Sequence, residues 1–286
     1  MTFIQKIAAL SVAALSITPF ALSQDRIVSV GGDVTEVIYE LGLGDKVVAV
    51  DTTSLFPLQA LTLPKVGYVR QLSAEGVLSV EPDLIIISGA AGPMGAVDQL
   101  RASGVEMVEM DTAYSIEATY EKTRTIATAL GVEEDGEELV AKVEARWAAA
   151  SAKIEALDFE PTVLFFTSVG DGAAQAAGVD TAAHGVIEMI GGINLFDGYS
   201  GYKPLSLEAA VAADPDIILV MAHNAVELGG KQKIIDHPAL SLTTAAQTGN
   251  VFLVDAARVM QFGPRTPDAA ADLAIEIKEN MAANGS

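Results

Sequence analysis

Two stretches decide the architecture: Leu72-Ser73-Ala74-Glu75 followed by Pro82-Asp83-Leu84-Ile85, and Leu205-Ser206-Leu207-Glu208 followed by Pro215-Asp216-Ile217-Ile218. Leu, Ser, Glu, Pro, Asp and the second Ile recur at one constant offset. Each copy reads as a complete local unit. The serine caps a helix N-terminus, and the acid two residues later suits the positive end of the helix dipole. Proline ends the helix, aspartate turns the chain, and a buried strand follows. A repeat on this scale predicts two related lobes with a ligand pocket between them. A second pair, Val37-Ile38 to Gly42 and Val186-Ile187 to Gly191, aligns at a larger offset. The first half therefore carries the longer connection between its landmarks, and that connection holds Asp51 to Tyr68.

Outward from the repeats, β-rich runs alternate with amphipathic stretches. Arg26–Val30, Lys46–Val50, Asp83–Ser88, Val105–Met110 and Thr162–Thr167 read as strands. Val34–Leu41, Met94–Ser103 and Tyr114–Leu130 read as helices closed by glycines. This alternation predicts an α/β fold of two Rossmann-like lobes with parallel-rich sheets covered on both faces. From about Glu133 to Leu157, Val140, Val143, Trp147, Ile154 and Leu157 recur at helical spacing. A helix of that length spans about 35 Å, and reads either as a rigid strut between lobes or as a surface helix. The expected division is a leader at 1–23, an N-terminal lobe at 24–132, an inter-lobe helix at 133–158 and a C-terminal lobe at 159–286.

Residues 1–23 read as an export signal. Lys6 precedes an apolar run from Ile7 to Leu22 broken by Pro19, and Ala21 and Ser23 suit a cleavage site before Gln24. No cysteine follows, so the expectation is a periplasmic protein without a lipid anchor.

Composition removes several classes. Half of the 286 residues are hydrophobic and 19% are charged, which excludes a disordered chain. With no cysteine, thiolate metal sites, disulfides and cysteine nucleophiles are out. Seventeen basic against 38 acidic residues, a net charge of −21, argues against nucleic-acid binding. No nucleophile elbow, P-loop or zinc-protease motif occurs. His184, His223 and His237 are scattered and match no metal-binding motif.

The segment Pro64-Lys65-Val66-Gly67-Tyr68-Val69-Arg70-Gln71 carries the most chemistry. In extended chain Tyr68 and Arg70 share a face. A guanidinium beside a phenol favours the phenolate, and tyrosinate is a known axial ligand of haem iron. On spacing alone, a surface tyrosine beside an arginine is the commoner account. Glu75 and Glu208 likewise read as helix-start acids or as paired acidic tips for one partner.

The run Val66 to Gly76, with Leu78-Ser79 and Pro82-Asp83-Leu84, resembles the haem-binding periplasmic proteins of bacterial haem ABC importers. So do Gly178 with Asp180-Thr181-Ala182-Ala183, Gly191-Gly192, and Phe262-Gly263-Pro264-Arg265-Thr266-Pro267. The resemblance implies the helical-backbone fold of cobalamin- and siderophore-type binding proteins, with a non-catalytic chain that carries ferric haem b. It implies Tyr68 as axial ligand and Arg70 as partner of the phenolate. Lys65, Arg265 and Tyr202 are expected as further pocket residues; Tyr199, Tyr202 and Met260 read as second-lobe contacts or, more readily, as packing and pocket wall. Arg265 reads either as a propionate partner or as the holder of a turn. Lys65, Arg70, Lys203 and Arg265 are expected to offset the anionic propionates. Glu75 and Glu208 would dock on an ABC permease dimer served by its ATPase, one per lobe. An outer-membrane haem receptor would supply the cargo to a monomer engaged in iron acquisition. No histidine occurs in Ser168–Ala177, against a second axial contact from that loop. Cobalamin or an iron–siderophore is the alternative cargo on the same fold, and an exported α/β enzyme the alternative from another class.

Overall fold

The computed structural model describes residues 25–167, 175–227, 229–238 and 240–284. The expected leader lies outside them. Among the described residues no helix is long and apolar enough to cross a membrane.

The first sheet is wholly parallel. Strands β1 (Ile27–Val30), β2 (Val47–Val50), β3 (Leu84–Ile87) and β4 (Glu106–Glu109) lie in the order β2-β1-β3-β4. The second sheet contains β5 (Thr162–Thr167), β6 (Gln175–Ala177), β7 (Tyr202–Pro204), β8 (Ile217–Met221) and β9 (Val251–Val254) in the order β7-β6-β5-β8-β9, with Ile193–Asn194 also pairing β5. Thus β1-β3-β4 and β5-β8-β9 are equivalent parallel triplets, and the repeated sequence supplies the central strand of each. Burial explains the near-continuous apolar runs: every residue of β3 and the first four of β8 are buried. The antiparallel β6 and β7 form one edge of the second sheet. At three residues each they are too short for any alternation of apolar residues to betray them.

The repeated helices begin as their serines require. Helix α1 (Gly32–Glu40) follows β1, and α2 (Ala74–Leu78) is the first repeated helix. Ser73 Oγ accepts the Gly76 N–H at 3.3 Å, and Ser206 Oγ accepts the Ala209 N–H at 3.1 Å. Helix α3 (Ile116–Leu130) is capped by Ser115 and closed by Gly131, whose φ of +69° is left-handed.

Helix α4 (Glu133–Glu155) is the long strut, 23 residues that leave the first lobe and feed β5. Its N-terminus carries Glu133, Glu134 and Asp135, matched to the helix dipole. Trp147 is half-buried and packs against the main core of each lobe. The equivalent helix of the second repeat is α5 (Leu207–Ala213), and the chain ends in α6 (Thr266–Asn284), which lies along α4. The lobes each bury apolar side chains on both faces of their sheet.

The segment just before α6 stitches the lobes together. Gln261 Nε2 donates to Thr53 O at 2.8 Å, and Thr119 Oγ1 donates to Phe262 O at 2.9 Å. Arg146 of the strut donates to Pro264 O at 3.1 Å. A Cβ on Gly32 would stand 2.1 Å from Gln261 Oε1, so a larger residue there would push the Gln261 amide away from Thr53 O.

Candidate functional site

A cavity of about 770 Å³ lies between the lobes, within the size range of small-molecule sites, about 300–1,000 Å³. The first lobe contributes the β1–α1 turn, the connection after β2 and the hairpin that carries Tyr68. The second contributes β7 and the chain ends after β8 and β9.

The connection is pinned at its root. The buried Asp51 carboxylate accepts from Gly31 N (2.9 Å), Ser54 Oγ (2.8 Å), Thr53 N (2.8 Å) and Thr53 Oγ1 (2.6 Å). The returning chain bonds back onto β2: Val66 N–H donates to Val50 O and Thr52 N–H donates to Gly67 O. Tyr68 is thereby fixed at a hairpin in which Tyr68 pairs with Gln71 and Val69-Arg70 make the turn. Sequence reasoning had the chain extended here. It turns because Val69 inserts into the first lobe's core and both Val69 O and Leu72 N are held by Gly92. Tyr68, 43% exposed, and Arg70 still line the same cavity.

Tyr202 faces them from the second lobe. It is 36% exposed and lines the cavity opposite them. Burial pushes its phenol above the ordinary tyrosine range, and the Arg70 guanidinium opposes that push across the cleft. Tyr114, at the cavity's first-lobe wall, is raised for the same reason and is also within reach of Arg70's field. Arg70 therefore acts electrostatically on phenols of both lobes. Met260, Met221 and Leu55 supply apolar wall.

Two expected pocket residues stand elsewhere. Lys65 does not line the cavity; its Nζ donates to Ala60 O at 2.9 Å and closes the turn of the connection. Arg265 is spent on the inter-lobe stitch. Its N–H donates to Glu36 Oε1, its Nε lies 3.0 Å from Glu36 Oε2 but misaligned for a hydrogen bond, and its guanidinium covers the Phe56 ring. Tyr199 packs, its hydroxyl donating to Ala176 O at 2.9 Å with Lys203 over its ring. Glu75 and Glu208 are exposed in the first turns of α2 and α5, away from the cavity.

Sequence reasoning missed other wall residues. Lys122 and Asp33 form a buried ion pair on the cavity wall, and Lys122 Nζ also donates to Phe262 O at 3.3 Å. His223 lines the wall, whereas His184 contacts Asn194 and His237 packs on Phe166. Most of the loop searched for a histidine, 168–174, lies outside the described residues. No cluster of three potential metal-ligating side chains occurs among the described residues.

Two α/β lobes on one long helix, with a preformed cleft between them, have the architecture of a two-lobed binding protein. The chain belongs to the periplasmic binding protein family, whose model matches residues 27–257. This is a family of substrate-binding proteins, and the chain is not an enzyme. The chain is similar to the periplasmic heme-binding protein RhuT from Roseiflexus sp. RS-1, with 39% identity and a TM-score of 0.85 over 90% of this chain and 99% of that one. It is similar to the periplasmic heme-binding protein HutB of Vibrio cholerae, with 34% identity and a TM-score of 0.78 over 89% and 99%. Among curated sequences it is 26% identical to the vitamin B12-binding protein of Vibrio cholerae (strain ATCC 39315 / El Tor Inaba N16961), over 92% of this chain and 94% of the relative.

Proposed function

We propose that the protein carries ferric haem between its lobes and hands it to the permease of an ABC importer. The observation that carries this reading is the placement of the Tyr68 phenol on the wall of the inter-lobe cavity beside Arg70. A phenolate is a hard anionic donor suited to ferric iron, and a guanidinium alongside stabilises it. Apolar wall on both sides of the cleft suits a flat macrocycle. Similarity to two haem-binding relatives above 30% identity supports the same cargo. In this reading Tyr68 is the axial ligand, Arg70 its partner, and Tyr202 the second-lobe contact. Glu75 and Glu208 dock on the permease dimer, one from each lobe. The chain is exported by residues 1–23 and works in the periplasm as a monomer. The working division is 24–132 and 159–286 about the helix at 133–158.

The test is an absorption titration with one equivalent of ferric haem. A Soret shift with a phenolate-to-iron charge-transfer band is expected, and Tyr68→Phe should lose that band. Unchanged spectrum and affinity in Tyr68→Phe would remove Tyr68 as ligand. Saturable cobalamin binding in place of haem would move the assignment to the second cargo, which the B12-binding relative favours.

A further inference from the structure

The charges of the cleft were expected to neutralise both propionates, and the structure accounts for them differently. Of the lysine and arginine side chains, those lining the cavity are Arg70 and Lys122, and the His223 imidazole joins them on the wall. Lys122 is 7% exposed and already holds the Asp33 carboxylate and Phe262 O. Lys65 and Arg265 are engaged away from the cavity, and Lys203 sits 4.5 Å over the Tyr199 ring without lining it. The stretch 168–174 contains no Lys or Arg in sequence. Of these two cations, Arg70 is in no ion pair among the described residues, and it lies two positions from Tyr68 in the same hairpin. The same wall carries the acids Asp111 and Asp255. The Asp255 carboxylate accepts from Ala257 N at 3.1 Å.

Two propionates turned inward would meet one imidazole, one guanidinium that the haem reading already gives to the Tyr68 phenolate, and two carboxylates. Burying a carboxylate without a counter-charge is prohibitive. Resting on the haem reading, we infer that the cleft recognises the iron and the apolar macrocycle and leaves the propionate edge in water. The site is therefore selective for an iron tetrapyrrole and indifferent to whether its carboxylates are free. Its ligand class includes tetrapyrroles whose side-chain carboxylates are esterified or amidated, provided the metal accepts a phenolate.

The experiment compares ferric haem with its dimethyl ester on the purified protein, titrated by absorbance in one detergent-containing buffer. The ester is expected to bind within about fivefold of haem, because solvent-exposed charges contribute little. Raising salt should change haem affinity by about threefold or less, for the same reason. A loss of about a hundredfold on esterification, the signature of buried charge-assisted contacts, would overturn the inference. Failure of both compounds to bind would instead overturn the haem reading itself. The two failures are thus distinguishable within one titration.

Discussion

Arg265 of the second lobe is held by Glu36 of the first: its backbone N–H donates to Oε1 at 2.9 Å and its Nε lies 3.0 Å from Oε2. Glu36 is 3% exposed, and burial pushes its carboxyl upward while Arg265 opposes that push. The pair joins the start of α6 to α1, and the guanidinium also covers Phe56 of the connection that carries Tyr68.

Replacing Arg265 with Ala leaves Glu36 buried without a counter-charge. The Arg265 side chain is about a quarter exposed, so the expected loss is about 2 kcal/mol, below that of a fully buried pair. The loss should shrink in acid. The folded pKa of Glu36 lies above its unfolded value, so this group favours the fold most below the unfolded pKa, near 4.5, and that support fades as pH rises through the folded value. Urea denaturation of both proteins at pH 4.5 and pH 7.5 checks this; an equal deficit at both would contradict it.

Lys122→Met removes the cation from a pair whose side chains are 7% and 10% exposed. A cost of about 3–5 kcal/mol follows from stranding Asp33. Asp33→Asn in the same background should recover part of it, since a neutral amide needs no counter-charge. Thermal melts of the single and double variants decide this.

His237 is kept neutral by burial against Phe166, which lowers its pKa. Its unfolded form takes up a proton first as pH falls. Stability is therefore fully present above about pH 6.5 and declines as pH drops toward the lower folded value. In His237→Leu that part of the pH slope should vanish, as denaturant midpoints between pH 5 and pH 7 would show.

Glu75 and Glu208 stand exposed on helices of equivalent repeats, away from the cavity. Reversing both to Lys should weaken uptake through the reconstituted importer and leave the haem titration unchanged. The weakening should ease with salt. Normal uptake would remove them from the docking surface.

How much was legible beforehand depended on distance along the chain. The Ser-Glu-Pro-Asp repeats foretold α2, α5 and the central strands because cap, turn and buried strand are all local signals. Tyr68 stood out because it sits in a short segment dense with chemistry, and it lines the cavity. The Glu36–Arg265 and Asp33–Lys122 pairs were not legible, since their residues are 229 and 89 positions apart, and the first pair meets across the lobes while the second meets between two helices of the first lobe. The same holds for Arg265 itself, whose sequence neighbours do not say which acid holds it. The turn at Val69-Arg70 was hidden because Gly92, which fixes it, lies beyond the next helix. Lys65 was misplaced because a basic residue near a tyrosine says nothing about which carbonyl the chain folds toward it.

Trp147 is the sole tryptophan of the chain and touches the cores of both lobes from the connecting helix. Its emission is therefore a single optical probe with two neighbourhoods. If the lobes melt as one cooperative unit, fluorescence and circular dichroism transitions will coincide. If one lobe opens first, the indole is wetted on one side while the other stays packed, and the emission will shift in two steps. One fluorophore thus reads out whether this two-lobed chain unfolds as one body or as two.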